Sequence, residues 1–288
     1  MKPAPFAYHA PDTLEEALEL LARGDDTRVL AGGQSLVPLM KFRVEKPAVL
    51  VDVNRIPGLD TVAEQGGELR IGALTRQQRL VDDELAAAAQ PLLRAAGRHA
   101  GYRATRHRGT VGGSLAYAAP WAELTAAVVA LDARLHVCST RGDRTIEARA
   151  FFRGPHETAL EADELLTEIA VPARAPRSGV GFHEVTTGHG GYLHVAAAAA
   201  VTVDDAGCCT DAELVLLRVG PTPHRVAVAA PLHGTELGTD ALEAVDELVA
   251  AVEPEGDFEV SGTYRRRVAR SLARRALLDA HASARAAA

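Results

Sequence analysis

Ala31-Gly32-Gly33-Gln34-Ser35-Leu36 and Thr110-Val111-Gly112-Gly113-Ser114-Leu115 are the two stretches that decide how this 288-residue chain is read. Each sets a glycine pair beside a small hydroxyl residue, after a strand or loop and ahead of an apolar run. Paired glycines let the backbone approach a ligand closely and turn successive N–H groups toward an anion. Ser35, Thr110 and Ser114 add hydroxyl groups. One segment on each side suits a pyrophosphate, although either alone reads equally well as a tight turn. Neither is GxGxxG and no lysine follows the glycines, so the sequence supports neither a Rossmann nor a P-loop site.

Outward from the first segment, Thr13 and Glu16 form a capping box. Leu14, Ala17, Leu18 and Leu21 give a helical apolar stripe that Gly24 is placed to stop. A strand over 28–31 leads into the glycines, a helical turn over 36–43 follows, and 48–53 is β-rich. A second unit runs from 59 to about 172. It has a strand at 69–71, Thr75 capping a helix ahead of the alanine-rich 85–100, the glycine loop, and a helix over 121–131. Strands at 134–138, 145–150 and 165–171 complete it. Residues 173–178, with prolines at 172 and 176, read as a linker. The last unit carries strands at 180–185, 193–203 and 213–219, helices at 240–252 and 263–281, and a frayed tail over 282–288.

Composition excludes several classes. Hydrophobic residues at 47% and charged residues at 24% are those of a globular chain, not a disordered one. A net charge of −7 argues against nucleic acid or an anionic membrane as partner. The longest apolar run, 195–203, holds five alanines and is too short to span a bilayer. No secretory h-region opens the chain, so a cytoplasmic location is expected. Cys138, Cys208 and Cys209 lack CxxC spacing, which argues against an iron–sulfur cluster or zinc site carried by this chain. His183, His189 and His194 match no ligand spacing and read as loop or surface histidines; no metal is expected. The arginines between 265 and 275 leave Tyr264, Val268, Leu272 and Ala276 as an apolar stripe, which fits a docked, solvated helix. No GxSxG elbow is present.

Taken together, AGGQSLVPLMKFR (31–43), RGTVGGSLAYAAP (108–120), LRVGPTPHR (217–225) and SGTYRRRVARSLARRAL (261–277) resemble the FAD-binding medium subunit of the molybdenum hydroxylases, the carbon monoxide and xanthine dehydrogenase type. The resemblance covers nearly the whole chain, in order. It implies an α+β fold. A two-part FAD-binding domain of the extended-FAD, PCMH-like type would occupy 1–175, with subdomains of about 1–56 and 57–175. A C-terminal domain of small antiparallel sheet plus helices would occupy 176–288. The resemblance further implies that Ala31, Gly32, Gly33, Gln34 and Ser35 line one side of the FAD diphosphate and Thr110, Gly112, Gly113 and Ser114 the other. Glu123 would contact the ribityl or ribose portion. The implied activity is electron transfer through FAD within an oxidoreductase, beside a molybdopterin large subunit and an iron–sulfur small subunit.

The sequence departs from that pattern near the flavin end. Tyr117-Ala118-Ala119-Pro120 replaces the family's His-x-Asp-Pro and is followed by Trp121, the only tryptophan. Glu184 stands where relatives carry lysine, reversing a charge beside an electron-rich cofactor. Tyr192 keeps an aromatic that the resemblance places near the flavin ring. These changes open an alternative: a stand-alone biosynthetic enzyme in which FAD is structural or lost. It would cyclise or isomerise a hydrophobic small-molecule substrate with Glu184, His189, Tyr117 and Tyr192 as acid–base or hydrogen-bonding groups, beside an apolar pocket near Trp121.

Overall fold

The structure is a computed structural model and describes residues 1–24, 26–188 and 191–287. The N-terminal layer is β1 (Ala7–His9), α1 (Leu14–Leu21), β2 (Thr27–Leu30), α2 (Leu36–Lys41) and β3 (Val49–Asp52), with the strands forming a parallel sheet of order β1-β3-β2. The capping box forms at the expected place: the Thr13 hydroxyl accepts the Glu16 N–H at 3.2 Å. The Glu16 carboxylate reaches back one residue further, to the Asp12 N–H. Ala17, Leu18 and Leu21 then bury against Val51 and Val53.

The second layer holds β4 (Val62–Gln65), β5 (Glu68–Gly72), α3 (Gln77–Asp82), α4 (Glu84–Ala89), α5 (Pro91–His99), α6 (Arg103–Arg108), α7 (Val111–Tyr117) and α8 (Glu123–Ala130). It continues through β6 (Arg134–Ser139), β7 (Gly142–Glu147), α9 (Ala148–Phe151), β8 (Phe152–Gly154), β9 (Glu157–Thr158) and β10 (Leu165–Pro172). Its main sheet is antiparallel, in the order β4-β5-β10-β6-β7. All eight residues of α8 are buried, as suits a helix apolar on every face.

Four expectations are corrected in this half and at the C-terminus. Thr75 caps no helix; it is buried and donates to the Thr61 carbonyl. The alanine-rich stretch is two short helices, because the Asp83 side chain caps α4 and Pro91 starts α5. Residues 148–151 turn helical instead of prolonging β7. The tail is not frayed: the last helix continues to Ala286, and Ala280 and Ala284 are fully buried.

The third layer is β11 (Ser178–Thr186), β12 (Leu193–Val203), β13 (Cys209–Leu217), β14 (His224–Val226), α10 (Ala229–Leu232), α11 (Thr239–Ala250) and α12 (Gly262–Ala286), with a sheet of order β11-β12-β13-β14. Strand alternation sends the two faces of this sheet to different cores. Ala196 and Ala198, opposite Leu217 and Val215, pack on the same core as α8. Ala197 and Ala199, opposite Leu216 and Leu214, pack on α11 and α12. The apolar run at 193–203 is therefore a strand covered on both sides. A Cβ on Gly179 or Gly181 would overlap the Ala280 or Ala276 carbonyl, so β11 and α12 meet backbone to backbone.

Candidate functional site

The two glycine segments meet. A Cβ on Gly32 would overlap the Arg108 carbonyl oxygen and stand 2.7 Å from the Gly109 Cα. A Cβ on Gly113 would lie 3.6 Å from that of Ala31. Polar side chains outside either motif fasten the pair. Asn54 donates to the Ala31 carbonyl at 2.8 Å, and Arg76 donates to Asn54 Oδ1 at 2.7 Å and to the Arg108 carbonyl at 2.6 Å. Sequence reasoning missed Asn54 and Arg76 because neither stands in a glycine motif; the tertiary fold alone sets them between the two.

The segments differ in what they offer a ligand. Gly33 takes φ +71°, and the N–H groups of Gly33, Gln34 and Ser35 have no acceptor among the described residues. Successive backbone donors without acceptors are of the kind that receives an anion. The second segment is not a loop but the start of a helix. The Thr110 hydroxyl accepts the Gly113 N–H at 3.1 Å, while the Val111 and Gly112 N–H groups donate to the Thr75 and Ala73 carbonyls. A Cβ on Gly112 would stand 2.5 Å from that of Ala73, so this glycine serves close packing. Gly113 and Ser114, both half-buried, form the face beside Ala31. Free amides on one side and small residues on the other fit a diphosphate in extended contact with backbone.

Beyond α7 the chain turns through Ala118 at φ +47°, and an aromatic row follows. The Tyr117 and His156 rings are 4.5 Å apart, His156 and Trp121 5.5 Å, and Trp121 and Tyr192 5.3 Å. Arg218 lies 6.0 Å from the Trp121 ring and is anchored by Asp257 at 2.5 Å. The indole is thus packed by side chains from both halves of the molecule. A cavity of about 370 Å³ lies elsewhere, lined by His136, Cys138 and Glu168 on the antiparallel sheet. Burial raises the Tyr117 hydroxyl above its ordinary value. Tyr192 is exposed, at 63%.

Glu184 does not join that row. Its Oε1 lies 2.9 Å from His99 Nδ1, and its buried Oε2 has no partner among the described residues. Glu123, at the start of α8, is 7% exposed, and burial pushes its carboxyl up to about 7. The Glu184 charge adds to that rise; the Glu123 backbone N–H, His99 and Arg106 oppose it. His99 is raised in turn, chiefly by its hydrogen bond to Glu184. His183 pairs with Asp279 at 2.7 Å and His194 lies 3.6 Å from Glu259, so those two histidines serve different surfaces. His189 lies outside the described residues.

The fold defines a two-part α+β protein whose two glycine segments meet, followed by a C-terminal sheet with its helices. A family model, the FAD-binding domain in molybdopterin dehydrogenase, matches residues 4–174, and the carbon monoxide dehydrogenase flavoprotein C-terminal domain matches 181–280. The chain is 37% identical to the 6-hydroxypseudooxynicotine dehydrogenase complex subunit alpha of Paenarthrobacter nicotinovorans, over 97% of this chain and 96% of that one. It superposes on carbon monoxide dehydrogenase from Hydrogenophaga pseudoflava with a TM-score of 0.94 at 34% identity, covering 98% and 99% of the two chains. Against quinoline 2-oxidoreductase from Pseudomonas putida 86 the TM-score is also 0.94, at 33% identity over 99% of each. The chain belongs to the FAD-binding subunits of the molybdopterin dehydrogenases, and FAD is its cofactor. These relatives are dehydrogenase and oxidoreductase components, and the reading as a stand-alone cyclase or isomerase finds no support in them.

Proposed function

We propose that this chain is the electron-carrying subunit of a cytoplasmic molybdenum hydroxylase, assembled with a molybdopterin-bearing large subunit and an iron–sulfur small subunit. The relatives named above support the assembly. No helix among the described residues is long and apolar enough to cross a membrane. Residues 1–175 form the FAD-binding domain and 176–288 the C-terminal domain.

The observation that carries the reading is the meeting of the free amides of Gly33, Gln34 and Ser35 with the small-residue face of Gly113 and Ser114. Ala31, Gly32, Gly33, Gln34 and Ser35 hold one side of the diphosphate, and Thr110, Gly112, Gly113 and Ser114 shape the other. Glu123 meets the ribityl or ribose portion. Tyr192 and Trp121 shield the ring end from water, and Tyr117 offers a hydroxyl there. Bound in this groove, FAD supplies reversible electron uptake between the partner centres and an external acceptor.

The test is the visible spectrum of the full chain before and after dithionite. A flavin spectrum that bleaches is expected, as is co-purification of subunits carrying molybdopterin and iron–sulfur groups from the native source. A folded, colourless chain that refuses added FAD overturns the reading.

A further inference from the structure

Asn54 and Arg76 come from different layers and meet at the seam between the two glycine segments. Asn54 lies in the short turn after β3, where one oxygen of the Asp52 carboxylate accepts its backbone N–H at 3.0 Å and its side-chain amide at 2.6 Å. The Tyr8 hydroxyl on β1 donates to the other Asp52 oxygen at 2.6 Å. So fixed, the Asn54 amide donates to the Leu30 carbonyl at 3.3 Å and to the Ala31 carbonyl at 2.8 Å. Arg76 is tied to the second segment by backbone. It pairs with Thr110, the Gln77 N–H donating to the Gly109 carbonyl and the Val111 N–H to the Thr75 carbonyl. Its guanidinium then spans the seam, one nitrogen 2.6 Å from the Arg108 carbonyl and the other 2.7 Å from Asn54 Oδ1. The Arg108 oxygen it binds is the same one that lies against Gly32.

This arrangement sorts the polarity of the first segment. Asn54 occupies the Leu30 and Ala31 carbonyls, the Gln34 amide that of Gly32 at 3.3 Å, and the Val37 N–H that of Gly33 at 3.1 Å. The acceptors are engaged, while the N–H groups of Gly33, Gln34 and Ser35 are left for an anion. Across the seam, a carbonyl oxygen beside an anion is unfavourable, and the Arg76 charge placed on the Arg108 oxygen offsets that. We propose that Asn54 and Arg76 are a pair of positioning residues for the FAD diphosphate. The guanidinium fork sets the separation of the two glycine segments, and the amide sets which groups of the first segment face the cofactor. The inference rests on the reading that the diphosphate lies between these segments. The fork is specific to arginine, since a lysine ammonium is a point charge and lacks the planar pair of donors that spans two acceptors. Asn54 is exposed and Arg76 half-buried, so changing either leaves no large cavity in a core.

The experiment measures FAD dissociation constants of the full chain by flavin fluorescence and the phosphorus NMR spectrum of bound FAD, with urea unfolding of the FAD-free chain as the control for folding. The proteins are wild type, Arg76→Lys, Asn54→Ala and the double variant. Wild type shifts both diphosphate resonances away from their positions in free FAD. Each single variant raises Kd at least about tenfold, the weight of one charge-assisted hydrogen bond. At saturating FAD each also moves the resonances, which a loss of folding stability alone does not do. The double variant stays within about threefold of Asn54→Ala, because both changes open the same bridge. If Arg76→Lys does not fold, Asn54→Ala decides alone by Kd and resonance positions. Arg76→Lys binding FAD as wild type does shows that charge suffices and overturns the proposal. Single effects that multiply in the double variant, or resonances unmoved in both single variants, overturn it as well. A wild-type chain that refuses FAD, or binds it with both resonances at their free positions, places the failure in the underlying reading instead.

Discussion

Gly32 and Arg108 are distant in sequence, yet the α-carbon of the first lies against the carbonyl oxygen of the second with no room for a methyl group between them. That contact joins the two glycine segments into one groove. Gly32→Ala must push them apart or displace Arg108, whose carbonyl also receives the Arg76 guanidinium. We expect a loss of about 1–3 kcal/mol in folding stability, the usual cost of overpacking. FAD retention should fall more steeply than stability. Urea unfolding and the flavin absorbance left after dialysis read the two effects separately; unchanged retention would deny the groove its role.

Gly181 makes the equivalent contact in the C-terminal domain, against Ala276 of α12. Gly181→Ala should lower stability by about 1–3 kcal/mol through strand–helix separation. FAD should stay bound at low temperature, since the glycine groove is untouched. A shift in the denaturation midpoint below the measurement error would contradict the backbone-to-backbone packing.

The buried Glu123 carboxyl has a sign consequence for stability. Its acid form is favoured in the folded chain up to about 7, against an ordinary value of 4.5. Between those values the folded state binds the extra proton, so stability falls as pH rises through that window and flattens above it. The full effect is about 3 kcal/mol. His99 works in the same direction, since its raised value makes its contribution present below 6.5 and lost as pH rises through the folded value. Glu123→Gln should flatten most of the slope between pH 5 and 7 in urea unfolding of the FAD-free chain. A variant that keeps the wild-type slope would refute the assignment.

Asp257 joins three parts of the C-terminal domain. It accepts the N–H groups of Glu259 and Val260 and binds both Arg218 and Arg265, the latter 5% exposed. Those bonds, led by the Val260 N–H, hold its carboxyl well below the usual range. Its stabilisation is therefore present above about pH 4 and lost in stronger acid. Asp257→Ala leaves Arg265 buried without its carboxylate and should cost about 3 kcal/mol. Because Arg218 sits over Trp121, the only tryptophan, intrinsic fluorescence should change in the same variant. Fluorescence identical to wild type would mean that Asp257 does not position Arg218.

Much of this architecture was legible in one dimension. The capping box at Thr13 and Glu16 is local chemistry, and its helix forms within a residue of the place expected. The β11, β12 and β13 strands announce themselves by β-branched and alanine-rich runs. The glycine pairs mark a place where backbone needs close approach, and their joint resemblance to a family named both the fold and the cofactor.

What the sequence did not disclose depends on partners that only folding supplies. The second glycine segment became a helix start because Thr110 could cap it and Ala73 and Thr75 were there to take its amides. Asn54 and Arg76 acquired their purpose from two segments that meet in space. Glu184 read as a reversed charge in the flavin groove, and the fold gave it His99 as a partner and Glu123 as a neighbour. The residue types and their local periodicity determined the elements, because helix capping and strand alternation act over a few residues. Which carboxyl stays protonated, which amides stay free and which side chains join the two glycine segments were decided by tertiary structure, because desolvation and charge depend on what is packed nearby.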